Sequence, residues 1–517
     1  MIINMKQNRI KFIGILLLFI GIVSCKNDKK IPLQKEDFCA KIHDSKTISL
    51  SKELQQFEDK LNTKTGVYVL ENGTNSMITR AWLCEAAEKT IDIQYFIFST
   101  DNVGLIACDY LVRAADKGIK IRILVDDFMV NTRIEDVLTL NSHKNISIKI
   151  YNPGVNIGKN LIGKITKFAT DFRGANQRMH NKTFIVDDKV VITGGRNIAD
   201  EYFDYDHDYN FRDRDVLLIG KNSKTIKKSF TNFWNSEHSV DVTSLVKENL
   251  IDVNDEKRFD NLHQYACNPD NFWPQIRSKI ENFSETIHKI KNSDKLVWLD
   301  SVSFVSDIPG KNTTKKGLGG GGKTTSTLIE LIKNAKKSID IQTPYLITTE
   351  LSRNVFANAI KRGVKIRILT NSLASTDNLE AFASYQTDRK KLLKIGVEIY
   401  EFKPDAAIRK EMMTNELQQK LKHTPIFGLH AKSMIVDNKI TVIGTFNLDP
   451  RSANLNTECL SIIYSDKISA NVLKGFNKEF KLDNSWRITL EFNPDNKVKR
   501  SKRIKTWTRK ILPKGIL

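Results

Sequence analysis

The feature that most limits what this chain can fold into is an internal duplication. AEKTIDIQYFIF at 87–98 recurs as AKKSIDIQTPYL at 335–346, and KGIKIRILVDD at 117–127 recurs as RGVKIRILTNS at 362–372. SIKIYNP at 147–153 returns as VEIYEFK at 397–403, and the offsets between matching positions stay between 245 and 250 residues. An offset this constant means one unit copied whole. Each copy reads helix, IDIQ strand, helix, KIRIL strand and a further strand. Strands alternating with helices of about 12 to 15 residues predict βαβ units and a mostly parallel sheet. The expected fold is therefore α/β, two duplicated βαβ halves related by a pseudo-twofold axis. The 517 residues are ample for two such cores. Residues 65–241 form the expected first half, 242–295 a helical linker without a counterpart in the first half, 296–475 the second half, and 476–517 a basic tail.

A second repeated element carries chemistry. RMHNKTFIVDDKVVITGGRN at 178–197 pairs with GLHAKSMIVDNKITVIGTFN at 428–447, both holding H-x-K-x4-D followed by G-x-x-N. The positions are His180, Lys182, Asp187, Gly194 and Asn197, then His430, Lys432, Asp437, Gly444 and Asn447, every pair offset by 250. On extended chain the imidazole and ammonium of H-x-K, at i and i+2, point the same way. Two copies meeting across a twofold would gather two imidazoles, two ammoniums and two carboxamides around one point. A lone H-x-K says nothing; two in register within a duplicated fold mark an active site.

These residues, with IDIQ and KIRIL upstream, resemble the phospholipase D superfamily and its HKD motif, over about Thr65 to Lys474. Within it, RMHNK, GGRNIADEYFDY, TNSLASTDN (370–378) and FNLDPRSANLNTE (446–458) are most similar to bacterial cardiolipin synthases of the C-type branch. The resemblance implies phospholipase D-like βαβ sandwich halves with the active site at their interface, no metal and no cofactor. It also implies a phosphatidyl transfer from a phosphatidylglycerol-like donor to an alcohol. Attack on a phosphodiester loads negative charge onto the phosphoryl oxygens, so preorganised cations and amides are needed there. Lys182, Lys432, Asn197 and Asn447 are the residues expected to supply them. By resemblance His180 is the nucleophile and His430 the acid/base, although the symmetry of the sequence assigns neither. Asp213 in FRDRD and Glu458 in NTE sit roughly where the family places the carboxylate that orients an imidazole. Asp187 and Asp437 are expected to be structural residues at strand ends. Hydrolysis of phospholipids, a nuclease of the same superfamily and a non-catalytic membrane-binding scaffold are the alternatives.

Export and a bilayer are expected from the first 25 residues. Lys6, Arg9 and Lys11 precede the apolar run FIGILLLFIGIVS, which is too short for a comfortable membrane span. It ends at Ile22-Val23-Ser24-Cys25, which resembles a lipobox with Cys25 as the lipidated residue; an uncleaved signal anchor is the other reading. Residues 26–64 then serve as tether and lead-in. The expected location is the cell envelope, as a membrane-anchored lipoprotein facing the periplasm or outside. The net charge of +21 suits an anionic membrane surface as partner, no nucleic acid is expected, and the chain is expected to be a monomer. Five cysteines remain beyond Cys25, so at least one is free; Cys84, Cys108 and Cys459 lie in apolar-periodic segments and read as core.

Three further stretches need weighing. GLGGGGKTTS at 317–326 matches the G-x-x-x-x-G-K-[ST] phosphate loop by letter. The strand before it is expected to stop near Ser306, and a phosphate loop at the end of so long a polar tether could not hold its amides rigidly. GKNLIGKITKFATDF at 158–172 has helical apolar spacing, which suits a core-facing helix or a lipid-contacting lip. His207 in DYDHDYN reads as a surface loop residue.

Overall fold

The computed structural model describes residues 48–127, 133–154, 172–246, 255, 257–272, 274–281, 283–315, 318–413, 424–511 and 514–516. The signal, Cys25, Cys39 and nearly all of the helix expected at 158–172 lie outside the described residues.

The duplication appears as two sheets with the same strand order. In the first, nine strands lie as Val297–Leu299, Thr65–Leu70, Asp215–Gly220, Val190–Gly194, Thr183–Val186, Thr90–Tyr95, Lys120–Asp126, Ile146–Tyr151 and Ser239–Asp241 among the described residues. The second repeats the order with eight: Val302–Ser306, Cys459–Tyr464, Ile440–Gly444, Ser433–Val436, Ser338–Gln342, Lys365–Asn371, Glu398–Phe402 and Ser485–Ile488.

The expectation of mostly parallel sheets is corrected. Parallel pairing within the sheets is confined to the IDIQ, KIRIL and following strands of each copy. The motif strands are joined by tight turns, and a tight turn can only return a strand antiparallel. Two edges also cross the expected boundaries. Val297–Leu299 pairs with Thr65–Val67 in the first sheet, and Ser485–Ile488 closes the second sheet from within the stretch read as tail.

On the face away from the other sheet, the first half carries helices α1 (Gly73–Ala86) and α2 (Asn102–Asp116). The linker follows as α3 (Asp260–Ala266), α4 (Pro274–Glu281) and α5 (Phe283–Lys291). The second half contributes α6 (Lys323–Asn334), α7 (Glu350–Lys361) and α8 (Leu379–Lys394), and the C-terminal stretch forms α9 (Arg500–Thr508). Side-chain oxygens of Asn72, Asp101 and Thr349 cap α1, α2 and α7 by accepting an amide three residues on.

Both faces of each sheet are buried. Ile185, Val191, Val216 and Leu218 of the first half share one apolar cluster with Ile435, Ile443, Ile463 and Val472 of the second. Their strand neighbours Phe184, Ile192, Leu217 and Ile219 face the other way, against the α1–α2 layer. A sheet packed on two sides needs nearly continuous apolar strands, which is why FIV and VVIT show no alternation. The repeated IDIQ and KIRIL letters have a shared cause: Arg122 donates to Asp92 at 2.7 Å, and Arg367 to Asp340 at 2.5 Å, tying adjacent parallel strands in the same way twice. Cys84 and Cys459 are buried free thiols, Cys108 is free and half-buried, and Cys267 is disulfide-bonded. No helix among the described residues is long and apolar enough to cross a membrane.

Candidate active site

Each histidine motif enters the site alongside the chain that carries the other half's carboxylate. Ile426–Leu429, leading into His430, pairs in parallel with Tyr209–Arg212, leading into Asp213. In the mirror arrangement Met179 bridges Thr457, and the His180 amide donates to the Thr457 carbonyl at 3.0 Å. The His430 amide donates to the Arg212 carbonyl at 2.8 Å. The imidazoles are therefore oriented across the interface. His180 Nδ1 lies 2.8 Å from Glu458 Oε2, and His430 Nδ1 lies 2.6 Å from Asp213 Oδ2.

The carboxylates are themselves held. Asp213 Oδ1 accepts from the Arg214 amide at 2.7 Å, and Arg196 clamps the Asp213 carbonyl at 2.7 Å. Glu458 Oε2 also accepts from the Thr445 hydroxyl. At the matching position of the first half stands Gly195, where a Cβ would come within 2.1 Å of Asp213 Oδ1. The shorter aspartate thus needs glycine where the longer glutamate takes a threonine. Gly194 and Gly444 face similar crowding: a Cβ would meet Asp215 Oδ1 at 2.4 Å and the Cys459 carbonyl at 2.3 Å.

Electrostatics fix the protonation states. Burial pushes His180 down to about 4 and His430 to about 3, and each is pushed the same way by both lysines, its own and the other half's. Burial likewise lowers Lys182 to about 7 and Lys432 to about 8. Burial alone would raise the two carboxyls. The hydrogen-bonding contact with His430 and the charge of Lys432 instead hold Asp213 well below the usual carboxylate range, and contacts with His180 and Lys182 lower Glu458. At neutral pH the carboxylates are thus ionised acceptors and each imidazole is neutral. Its Nδ1 proton faces the carboxylate, which leaves the Nε2 lone pair free. The lysine amines fold back onto the carbonyls of their own histidines.

The carboxamides, expected to act alike, are divided by the structure. Asn197 is tied on both sides, accepting from the Ile97 amide at 3.1 Å and donating to the Tyr202 hydroxyl at 2.8 Å. The Tyr202 ring in turn meets the His430 ring edge-on at 5.1 Å. Asn447 has a buried amide oxygen with no hydrogen-bond partner among the described residues. Asp187 and Asp437 lie at left-handed turns (φ 51° and 54°). They accept the backbone amides of residues 88–90 and 336–338, which starts the IDIQ strands.

Sequence reasoning passed over several groups beside the site. Phe96 packs edge-on to His180 at 5.1 Å, and Phe211 lies 4.6 Å from His430. The Tyr345 hydroxyl donates to Asp377 at 2.7 Å, and the Asp377 carboxylate acts on Lys432. Asp377 belongs to TNSLASTDN, which matched a family by its letters but offered no spacing that pointed to Lys432. His207 is exposed, as expected of a loop residue.

The glycine-rich loop is no phosphate cradle. The Thr324 amide and hydroxyl, at the N-terminus of α6, both donate to Asp307, at 3.0 and 2.8 Å, and Lys311 pairs with the same carboxylate at 2.8 Å. A carboxylate already occupies the place a phosphate would need. Lys323 is exposed. Lys323→Ala is expected to change turnover by less than about twofold, and equilibrium dialysis with ATP should show no saturable binding; ATP binding lost in that variant would reverse the conclusion.

Known proteins resemble both halves of the chain. A family profile described as "Cardiolipin synthase, PLD-like domain" matches residues 83–234 and 328–480, one match in each half. The chain is similar to cardiolipin synthase C of Escherichia coli, 33% identical over 434 residues that cover 82% of this chain and 87% of that protein. It is also similar to cardiolipin synthase 1 of Bacillus cereus, at 26% identity, covering 84% of this chain and 70% of that one. Among solved structures, the phosphatidylserine synthase of Haemophilus influenzae superposes with a TM-score of 0.57 at 15% identity, covering 89% of this chain and all of that one, a likeness of fold.

Proposed function

We propose that this chain, which belongs to the phospholipase D-like cardiolipin synthase family, forms cardiolipin by moving a phosphatidyl group onto the free alcohol of a second phospholipid. The observation that carries the reading is the crossed pair of imidazoles, each oriented by the other half's carboxylate beside two buried lysines. His180, with its Nδ1 proton on Glu458, attacks phosphorus through Nε2. The incoming phosphodiester anion favours the imidazolium form of His430, which Asp213 also stabilises. His430 then protonates the departing alcohol, leaving a phosphohistidine on His180. The acceptor hydroxyl next loses its proton to His430 and attacks phosphorus, releasing product and neutral His180. Lys182 and Lys432 balance the charge that develops on the phosphoryl oxygens.

The test is direct. Purified full-length chain given phosphatidylglycerol in mixed micelles should produce cardiolipin and glycerol by mass spectrometry, and the His180→Ala variant should produce neither. Phosphatidic acid as the dominant product would make the enzyme a hydrolase.

A membrane-facing surface is part of the same proposal. The described part of the C-terminal stretch packs through α9 on α8, and Arg509 pairs with Glu380 and Lys514 with Asp388. Ile504, Trp507 and Ile511 are left 53%, 69% and 87% exposed among lysines and arginines, a combination that suits an anionic interface. Trp507→Ala with Ile504→Asp is expected to weaken sedimentation with phosphatidylglycerol vesicles about tenfold and to spare turnover of a short-chain soluble lipid. Unchanged sedimentation would reduce this surface to a solvated end.

A further inference from the structure

The basic residues of α9 and the turn after it fall into two sets. One set is tied to the body of the second half: Lys502 donates to the Ala374 carbonyl at 3.4 Å, and Arg509 pairs with Glu380. Thr506, between them, is buried. The other set is Arg500, Arg503 and Lys510, which recur with Ile504 and Trp507 at helical spacing along a different face. All three cations are exposed, and their side chains have no hydrogen-bond or ion-pair partner among the described residues.

These five side chains line a cavity of about 340 Å³ between α8 and α9, completed by Gln386 and Asp495. The one carboxylate in the lining is already satisfied. Asp495 accepts from both terminal nitrogens of Arg389, at 3.1 and 3.0 Å, and from the Gln386 amide at 2.9 Å. Three positive charges are left with nothing opposite them. Like charges a turn apart on one helix face repel, and an anion seated between them removes that repulsion. Ile504 and Trp507, 53% and 69% exposed, share the same wall. A free anion gains nothing from them. A phosphate carried on a lipid brings its glycerol and acyl carbons against both.

We propose that this cavity binds the phosphate of an anionic phospholipid other than the substrate, a discrete headgroup site that rests on the reading of this surface as membrane-facing. Guanidinium forks meet phosphate oxygens two at a time, and Arg500 and Arg503, one turn apart, approach one phosphate from the same side. Lys510 adds a point charge, and Trp507 lies at the depth where indole rings settle between headgroups and hydrocarbon. A diffuse basic surface would value each of its charges alike. A site depends on these three.

The experiment compares two double variants of the full-length chain that lose equal charge. Arg500→Ala with Arg503→Ala removes two cations of the cavity, and Lys499→Ala with Lys505→Ala removes two exposed cations that do not line it. Affinity for vesicles of phosphatidylglycerol and phosphatidylcholine in equal parts should fall at least about fivefold in the first and less than about twofold in the second. Equal losses would leave a diffuse surface and overturn the site. Hydrogen exchange then reads the cavity without a bilayer. Dihexanoyl phosphatidylglycerol below its micelle concentration, added to the His180→Ala chain, should slow amide exchange across 500–510, and Arg500→Ala with Arg503→Ala should abolish that protection. Equal protection by inorganic phosphate would make this a simple anion site, and equal protection by dihexanoyl phosphatidylcholine an apolar one; either overturns the proposal. So would a single-stranded oligonucleotide bound more tightly than the lipid and released by the same double substitution. Protection at 500–510 without vesicle binding by the wild type would keep the headgroup site and reject the membrane-facing surface; vesicle binding without protection would do the reverse.

Discussion

Replacement of His180 by asparagine is expected to lower turnover by about 10⁴-fold or more, the scale on which removing a covalent nucleophile acts. Asparagine keeps a polar group beside Glu458 but has no Nε2 lone pair for phosphorus. Burial holds this imidazole neutral and the 2.8 Å contact with Glu458 directs it, so nothing nearby replaces it. Wild-type chain mixed with acyl-labelled phosphatidylglycerol and quenched in alkali should carry acyl label on His180 and no head-group label. His430→Asn should also lose turnover but, with an activated leaving group, should still form the adduct and then discharge it slowly. Label on His430 would exchange the two roles and leave the fold untouched.

The second large effect belongs to the lysines. Lys182→Met and Lys432→Met should each lower kcat by about 10³-fold, comparable with removing one preorganised donor at a developing oxyanion. Burial sets their pKa values at about 7 and about 8, so the free enzyme begins to lose these charges near neutrality. On top of the loss of charged His430 above about 3, kcat/KM should therefore fall more steeply as pH rises through 7 to 9, while below about 4 His180 becomes charged. A bound phosphodiester anion raises the lysine values, so the alkaline limb of kcat should lie above that of kcat/KM. A stability signature follows with the opposite sense. An ammonium whose folded pKa lies below its unfolded value of about 10.4 binds fewer protons folded than unfolded, so its contribution to stability grows as pH rises between the two. Each methionine variant should have a Tm at pH 6 no lower than wild type while being nearly inactive. A Tm several degrees lower, with an alkaline limb unmoved in the surviving activity, would make the lysines structural.

The duplication, the helices and strands around IDIQ and KIRIL, and the two H-x-K motifs could be read from the letters. Each is local or recurs at a fixed offset, and a repeat exposes its own period. The rejection of the phosphate loop was legible for the same reason, since strand and glycines stand too far apart along the chain. Pairing direction was less so. Parallel and antiparallel strands share one apolar pattern, and the tight turns between the motif strands decided the matter.

Which carboxylate serves which histidine was decided by tertiary structure alone. His180 and Glu458 are separated by 278 residues, and His430 and Asp213 by 217. No spacing distinguishes pairing within a half from pairing across the interface; the parallel pairing of Tyr209–Arg212 with Ile426–Leu429 makes that choice. The same holds for Asp307 at the start of α6 and for the different surroundings of Asn197 and Asn447. Symmetric letters predict symmetric roles. Among the described residues the linker helices pack on α1 and α2 of the first copy, and the residues around each motif differ by single side chains such as Gly195 and Thr445, so equal motifs come to rest in unequal surroundings.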